Sequence, residues 1–224
     1  LLDRLEQIDQ LHWLRVLYTY PDTVTPELID RFRAGGKIVP YLDMPLQHTE
    51  DEMLVRMHRR GDQAHIKRVL DYVAKVAPDF MLRTTLMVGF PGETEAHFSA
   101  MLQFIKDHPF DRIGAFTFSP EEGTAAANLA DQVPEEVKQE RLARLMETQQ
   151  PISRMRNERR VGQVVEVLVE GKQNGRSYGR SYAEAPDVDG KVYIERAADL
   201  QPGSYVPVRL IRAEEYDMIG EPVA

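Results

Sequence analysis

Residues 82–88, Leu-Arg-Thr-Thr-Leu-Met-Val, make an apolar and β-branched run that stops on Gly89-Phe90-Pro91-Gly92-Glu93. A run of this length and chemistry is a strand buried on both faces, as in parallel sheets. Phe98, Met101, Leu102 and Ile105 follow at i, i+3, i+4, i+7 spacing, one buried face of a helix. Strand, Gly-Pro-Gly turn and helix is a unit from which α/β proteins build a ligand floor. The glycines admit close backbone approach, and the first-turn N–H groups of the helix are unpaired donors. A tight β-to-α turn without a ligand accounts for the segment equally well by itself.

The first 120 residues repeat this theme. Residues 12–20 read as a strand, followed by the turn at Pro21-Asp22. Thr25-Pro26 reads as an N-cap with proline at the first helical position. That helix carries Leu28, Ile29 and Phe32 and stops at Gly35-Gly36. Residues 37–42 form the next predicted strand, and Thr49 with Glu52 a capping box that opens a short helix. After Gly61, Ile66, Val69, Leu70 and Val73 mark a longer helix that runs to Pro78. Strands at 80–88 and 112–118 flank the helix described above. The β-α-β-α-β-α-β order implies a parallel sheet with right-handed crossovers. Barrel and doubly wound sheet both satisfy the pattern. In either, functional groups gather at the strand C-terminal ends: 18–21, 43–48, 88–93 and 118–123.

Residues 134–160 form a charged helix with Val137, Leu142, Leu145, Met146 and Ile152 apolar, and Pro151 is expected to kink or end it. Arg154, Arg156, Arg159 and Arg160 read as a solvated basic helix end. From Val161 the period changes to two, with Val165, Val167 and Val169 alternating with Glu166, Leu168 and Glu170. Turn signals then separate strands at 176–182, 191–194, 205–213 and 216–220. Five short antiparallel strands imply a small closed barrel of the OB type. The chain thus divides into an α/β part (1–133), a linker helix (134–160) and an all-β domain (161–224).

The chain contains no cysteine, which excludes disulfides, thiolate catalysis and cysteine-held metal or iron–sulfur sites within these residues. The six histidines show no i, i+4 pair and read mostly as surface residues. No 18-residue apolar run exists. Asp3, Arg4, Glu6 and Asp9 break any signal-peptide pattern. A start at Leu1, without Met and inside a helix, reads as part of a longer protein.

The runs Tyr41-Leu42-Asp43-Met44-Pro45-Leu46-Gln47-His48, Arg83 to Glu93, and Phe118-Ser119-Pro120-Glu121-Glu122-Gly123-Thr124 resemble radical S-adenosylmethionine (SAM) methylthiotransferases, and within them the RimO family. Glu184-Ala185-Pro186-Asp187-Val188-Asp189-Gly190 and Glu214-Glu215-Tyr216-Asp217 are similar to the TRAM domain that ends these enzymes. The resemblance implies the C-terminal part of a radical SAM partial (β/α) barrel followed by a five-stranded TRAM barrel. It implies a cytoplasmic enzyme that adds a methylthio group to the β-carbon of an aspartate in a small-subunit ribosomal protein. Its cofactors would be SAM and two 4Fe-4S clusters whose cysteine ligands lie upstream, so this chain alone is expected to be inactive. Gln47, His48, Gly89, Pro91, Gly92 and Glu93 would hold the cofactor. Asp43 and Arg83, with Asp187, Asp189 and Glu215 on the barrel, would meet the substrate. Simpler roles stand beside these: a loop-capping carboxylate for Asp43, a buried ion pair for Arg83, and a helix N-terminal charge for Glu93. The resemblance assigns no catalytic side chain, metal ligand or sulfur donor within these residues.

Charge discriminates between substrates. The whole chain carries −8, and residues 161–224 hold seven basic and eleven acidic side chains, a net of −4. An RNA-binding module gains affinity by neutralising phosphates, and this balance opposes it. An acidic module suits a basic ribosomal protein and argues against nucleic acid as the main partner. The alternatives are a tRNA adenosine methylthiotransferase and, for the chain in isolation, a partner-docking module.

Overall fold

A computed structural model describes residues 1–196 and 200–223. In chain order the helices are α1 (Leu2–Glu6), α2 (Pro26–Arg33), α3 (Asp51–Arg56), α4 (Gln63–Val76), α5 (Glu95–Asp107) and α6 (Glu135–Glu158). The strands are β1 (Tyr41–Asp43), β2 (Met81–Val88), β3 (Arg112–Thr117), β4 (Val164–Gln173), β5 (Arg176–Arg180), β6 (Val192–Ile194), β7 (Tyr205–Ala213) and β8 (Met218–Pro222). Two compact units result. One is α/β and comprises Val16–Ala34 and Leu42–Gln149; the other comprises Leu1–Arg15, Gly35–Tyr41 and the chain from Gln150 onward.

In the α/β unit the sheet order is β1-β2-β3, and β2 runs parallel to β3 with Arg83 opposite Arg112 and Val88 opposite Thr117. Parallel strands need crossovers, and α5 supplies the one between β2 and β3. Thr94 caps α5 by accepting from the His97 N–H, while His97 Nδ1 accepts from Thr94 N–H. Phe98, Met101, Phe104 and Ile105 of α5 are buried, and full burial of such side chains contributes about 1.5–3 kcal/mol each. Phe104 takes a core place that the spacing assigns to Leu102, which is half-buried. The Thr25 cap and Pro26 start of α2 are as expected.

Several local expectations are corrected. Within 12–20 only Leu14 pairs, in a bridge to Ile38, and Tyr18 then takes a left-handed conformation (φ 58°) that ends the extended run. The Thr49 capping box does not form. His48 Nδ1 accepts the Glu50 N–H, Glu50 becomes the N-cap, and α3 starts at Asp51. Helix α6 runs through Pro151 rather than ending there. Pro151 and Glu147, whose carbonyl loses its helical donor, are both exposed.

In the second unit β4-β5-β6-β8-β7 close into a barrel. Four strand pairs are antiparallel, but β6 and β8 pair in parallel, Val192 opposite Met218, which corrects the all-antiparallel expectation. Val165, Val167, Val169, Val208, Leu210 and Met218 fill the interior, as the period-two pattern requires. Arg160 is buried rather than solvated: Nη1 donates to Glu184 Oε1 at 2.6 Å and Nη2 to Ser181 Oγ at 3.2 Å. Arg15 donates to the carbonyls of Tyr182 and Glu184 and lies 4.4 Å from the Tyr41 ring centre. Burial pushes its affinity for the proton below the ordinary arginine value.

Candidate cofactor and substrate site

The turn after β2 is held by one buried acid. Glu93 Oε2 accepts the Gly89 N–H at 3.1 Å, and Oε1 accepts from Arg141 Nη1 at 2.6 Å. His48 Nε2 lies 3.5 Å from Glu93 Oε2, and both side chains are wholly buried. Glu93 is therefore the hub of a His48–Glu93–Arg141 cluster behind the turn, not simply a helix N-terminal charge; Thr94 is the cap of α5.

Gly89 and Gly92 both adopt positive φ, 75° and 85°, which L side chains rarely take. The sides from which their Cβ atoms are missing face protein. A Cβ on Gly89 would stand 2.3 Å from Lys138 Cγ, and one on Gly92 would stand 2.4 Å from the Arg56 guanidinium. These glycines make room for neighbouring side chains, and Pro91 is buried between them. Lys138 is fixed in turn, with Nζ donating to the Phe118 carbonyl at 2.9 Å.

Asp43 and Arg83 answer each other. Arg83 Nη1 donates to Asp43 Oδ1 at 2.9 Å, and Asp43 Oδ2 accepts the Tyr18 N–H at 2.9 Å. Asp43 is fully buried and Arg83 nearly so. This is the buried ion pair that sequence allowed as the alternative for Arg83, and the bond to Tyr18 N–H is the loop cap allowed for Asp43.

Gln47 stands apart from these residues. Its backbone is left-handed (φ 68°), which costs a non-glycine residue about 1–2 kcal/mol. The strain persists because Gln47 N–H donates to the Thr85 carbonyl and its own carbonyl accepts from Met87 N–H, each at 2.8 Å. Its side-chain Oε1 is buried with no hydrogen-bond partner. Gln47 lines a cavity of about 540 Å³ with Tyr20, Arg59, Met87 and Phe90. It also lines an adjoining cavity of about 350 Å³ with Tyr18, Thr85 and Phe116. Both volumes fall in the ~300–1,000 Å³ range of small-molecule sites. The cavities lie at the C-terminal ends of the strands, where ligands of α/β folds bind. Met57, Met87 and Phe90 offer apolar walls, while the orphaned Gln47 oxygen and Arg59 offer polar contacts. That donor set fits a molecule that is part apolar and part hydroxyl- or carboxylate-bearing, as SAM is. It does not fit an iron–sulfur cluster: the chain supplies no thiolate, and the described residues contain no group of three His, Asp or Glu side chains suited to a metal.

Sequence reasoning reached Tyr20 only as part of the segment 18–21, and it missed Arg59, Lys138 and Arg141. The position of Tyr20 at a strand end is a usable signal. Arg59, Lys138 and Arg141 carry none, because only the fold brings them to residues 20, 89 and 93.

On the barrel, Asp189 Oδ2 accepts from Tyr41 Oη at 2.5 Å and from Ala185 N–H at 2.8 Å. Glu215 is 3.5 Å from Arg154 Nη1. Asp187 is exposed, whereas Asp189 and Glu215 are half-buried. No helix of the described residues is long and apolar enough to cross a membrane.

The chain matches the radical SAM superfamily over residues 1–105 and the TRAM domain over residues 161–223. It is 45% identical over 221 residues to the ribosomal protein uS12 methylthiotransferase RimO of Thermoanaerobacter sp. (strain X514), covering 99% of this chain and 50% of that protein. It is 48% identical over 214 residues to the RimO protein of Synechococcus sp. (strain JA-2-3B'a(2-13)), covering 95% and 45% respectively. The chain spans about half the length of the curated relatives it matches. Among solved structures, the radical SAM enzyme coproporphyrinogen III oxidase (HemN) from Escherichia coli superposes with a TM-score of 0.54 at 20% identity, covering 66% of this chain and 36% of that one. At that identity the likeness speaks for the fold alone. The two domain matches and the relatives agree: over nearly its whole length the chain is similar to RimO proteins, ribosomal protein uS12 methylthiotransferases.

Proposed function

We propose that this chain is the cofactor-cradling and partner-docking half of an enzyme that adds a methylthio group to an aspartate of ribosomal protein uS12. The reading rests above all on Gln47, a strained residue whose buried oxygen lacks a partner at the mouth of a parallel sheet, in a chain 45% identical to a RimO protein over 99% of its length. The working division is a partial radical SAM barrel over 1–133, a linker helix over 134–160 and a TRAM domain over 161–224.

SAM, when bound and reduced, supplies the radical chemistry; this chain's residues bind and orient. Gln47 Oε1 accepts a hydrogen bond from a ribose hydroxyl. Met87 and Phe90 exclude water from the apolar part of the ligand. His48, Glu93 and Arg141 fix the turn so that Phe90 keeps its place, and Gly89, Pro91 and Gly92 give the turn its shape. The Asp43–Arg83 pair positions Tyr18 through its N–H. The clusters are held by residues outside this chain, and no step is derived through them. The acidic barrel docks the basic ribosomal protein, with Asp187 as the exposed contact.

A second reading has one observation in its favour. Lys191 Nζ lies 4.2 Å from the Tyr178 ring centre, and Tyr178 and Tyr193 sit 6.3 Å apart on β5 and β6. Aromatic rings with a cation form the type of surface on which nucleic-acid bases stack. The experiment offers the reconstituted full-length enzyme both uS12 and tRNA with SAM. Mass spectrometry is expected to find the methylthio increment on a uS12 aspartate; an increment on tRNA adenosine with uS12 unchanged overturns the reading in favour of the second.

A further inference from the structure

Tyr18 holds a backbone conformation from which the core gains nothing. Its φ of 58° lies in the left-handed region, an outlier for a bulky residue. One acid keeps it there. Asp43 Oδ2 accepts the Tyr18 N–H at 2.9 Å, and the Asp43 carbonyl accepts both the Thr19 N–H, at 3.0 Å, and the Thr19 hydroxyl. Arg83 clamps the same carboxylate through Oδ1. Asp43 and Thr19 are buried, whereas Tyr18 is 70% exposed. Glycine or asparagine would carry this backbone with less strain, and a ring left in solvent adds little to packing. Strain that the surroundings enforce, for a side chain the fold does not use, points to function.

Tyr18 lines the smaller cavity, of about 350 Å³, together with Thr85 and Phe116. Among the described residues neither the Tyr18 nor the Thr85 hydroxyl has a hydrogen-bond partner. Phe116 is 40% exposed although it lies within β3. Gln47 lines this cavity and the larger one alike. The larger cavity has the methionine and phenylalanine walls that suit SAM. The smaller one offers hydroxyl groups, each able to donate one hydrogen bond.

We propose that Tyr18 is a substrate-binding residue: its hydroxyl, with that of Thr85, donates to the carboxylate of the target aspartate in the smaller cavity. The proposal rests on the methylthiotransferase reading, which brings SAM to the larger cavity and requires an aspartate beside it. An ionised carboxylate that leaves water must be met by donors, and two unengaged hydroxyls supply them. Phe116 gives the peptide around the aspartate an apolar wall. The buried Asp43–Arg83 pair then serves the substrate indirectly, by fixing the residue that touches it.

The test uses the reconstituted full-length enzyme carrying Tyr18→Phe, which removes one oxygen and leaves the ring. KM for uS12 is measured by mass spectrometry and the dissociation constant for labelled SAM by equilibrium dialysis. Loss of a hydrogen bond to a charged group weakens binding about 10- to 100-fold, and KM is expected to rise about tenfold with the SAM constant within twofold. Tyr18→Gly, which removes the strain together with the hydroxyl, is expected to raise KM at least as much without lowering the thermal midpoint. KM within twofold of the unmodified enzyme in both variants overturns the proposal. A rise in the SAM constant with KM unchanged overturns it too, because Tyr18 would then meet the cofactor. Those results leave the methylthiotransferase reading standing, since the unmodified enzyme still modifies uS12. An unmodified enzyme that modifies tRNA and leaves uS12 untouched sinks that reading, and the proposal with it.

Discussion

Arg141 Nη1 donates to Glu93 twice, to the backbone carbonyl at 3.0 Å and to the carboxylate at 2.6 Å, with both side chains out of water. A single guanidinium thereby ties α6 to the turn after β2, and Glu93 passes the constraint on to Gly89 through its other oxygen.

Removing either partner strands a buried charge. Glu93→Ala or Arg141→Ala is expected to destabilise the protein by about 3–5 kcal/mol. Urea unfolding measures this directly. A loss below about 1 kcal/mol for both variants would show that the pair is not the constraint described.

The two turn glycines are expected to differ. Gly89→Ala forces a Cβ into the buried stem of Lys138, whereas Gly92→Ala meets the end of a half-buried Arg56 side chain that can swing away. Each carries the left-handed backbone cost of about 1–2 kcal/mol. Gly89→Ala should exceed Gly92→Ala in equilibrium unfolding by a further 1–3 kcal/mol or so, the usual cost of overpacking. Equal losses would contradict the placement of Lys138 beneath Gly89.

How much of this was legible in the sequence follows from distance along the chain. The Thr25 cap, the strand around Thr84 and Leu86, and the barrel residues Val165, Val167 and Val169 were readable because their signals are local and periodic. His48, Glu93 and Arg141 were not, because each gains its meaning from partners more than 40 residues away. Thr49 carried the right spacing for a capping box, but the helix begins one residue later than the box requires, with Glu50 at the N-cap position. Arg160 looked like a solvated helix end until Glu184 arrived from the barrel.

Gln47 is expected to separate stability from binding. Gln47→Gly removes the left-handed strain and the orphaned oxygen together. It should be no less stable than the unmodified protein, yet bind SAM about tenfold more weakly in the full-length enzyme, the worth of one hydrogen bond to a buried group. A variant that loses stability and keeps its SAM affinity would assign Gln47 a purely structural role.

The exposed Glu95–Arg144 pair sets a small acid dependence. Arg144 Nη2 donates to Glu95 Oε1 at 2.8 Å, and this bond holds the Glu95 carboxyl below its ordinary value of 4.5. A carboxyl depressed in the folded state contributes stability above its unfolded value and loses it as pH falls through the folded one. Both side chains are substantially exposed, so the contribution is about 0–1 kcal/mol. Arg144→Gln should therefore narrow the stability difference between pH 7 and pH 3 by no more than that. A larger narrowing would mean that the pair is shielded from solvent.

In the proposed function SAM lies at the ends of β1 and β2, against Gln47 and the turn. Hydrogen–deuterium exchange of the reconstituted full-length enzyme, with and without SAM, tests it most directly. Slowed exchange is expected on SAM addition in residues 45–48, 57–60 and 86–93, with the barrel strands of 161–223 unchanged. Protection confined to other segments, with 45–48 and 86–93 unaltered at saturating SAM, would contradict it.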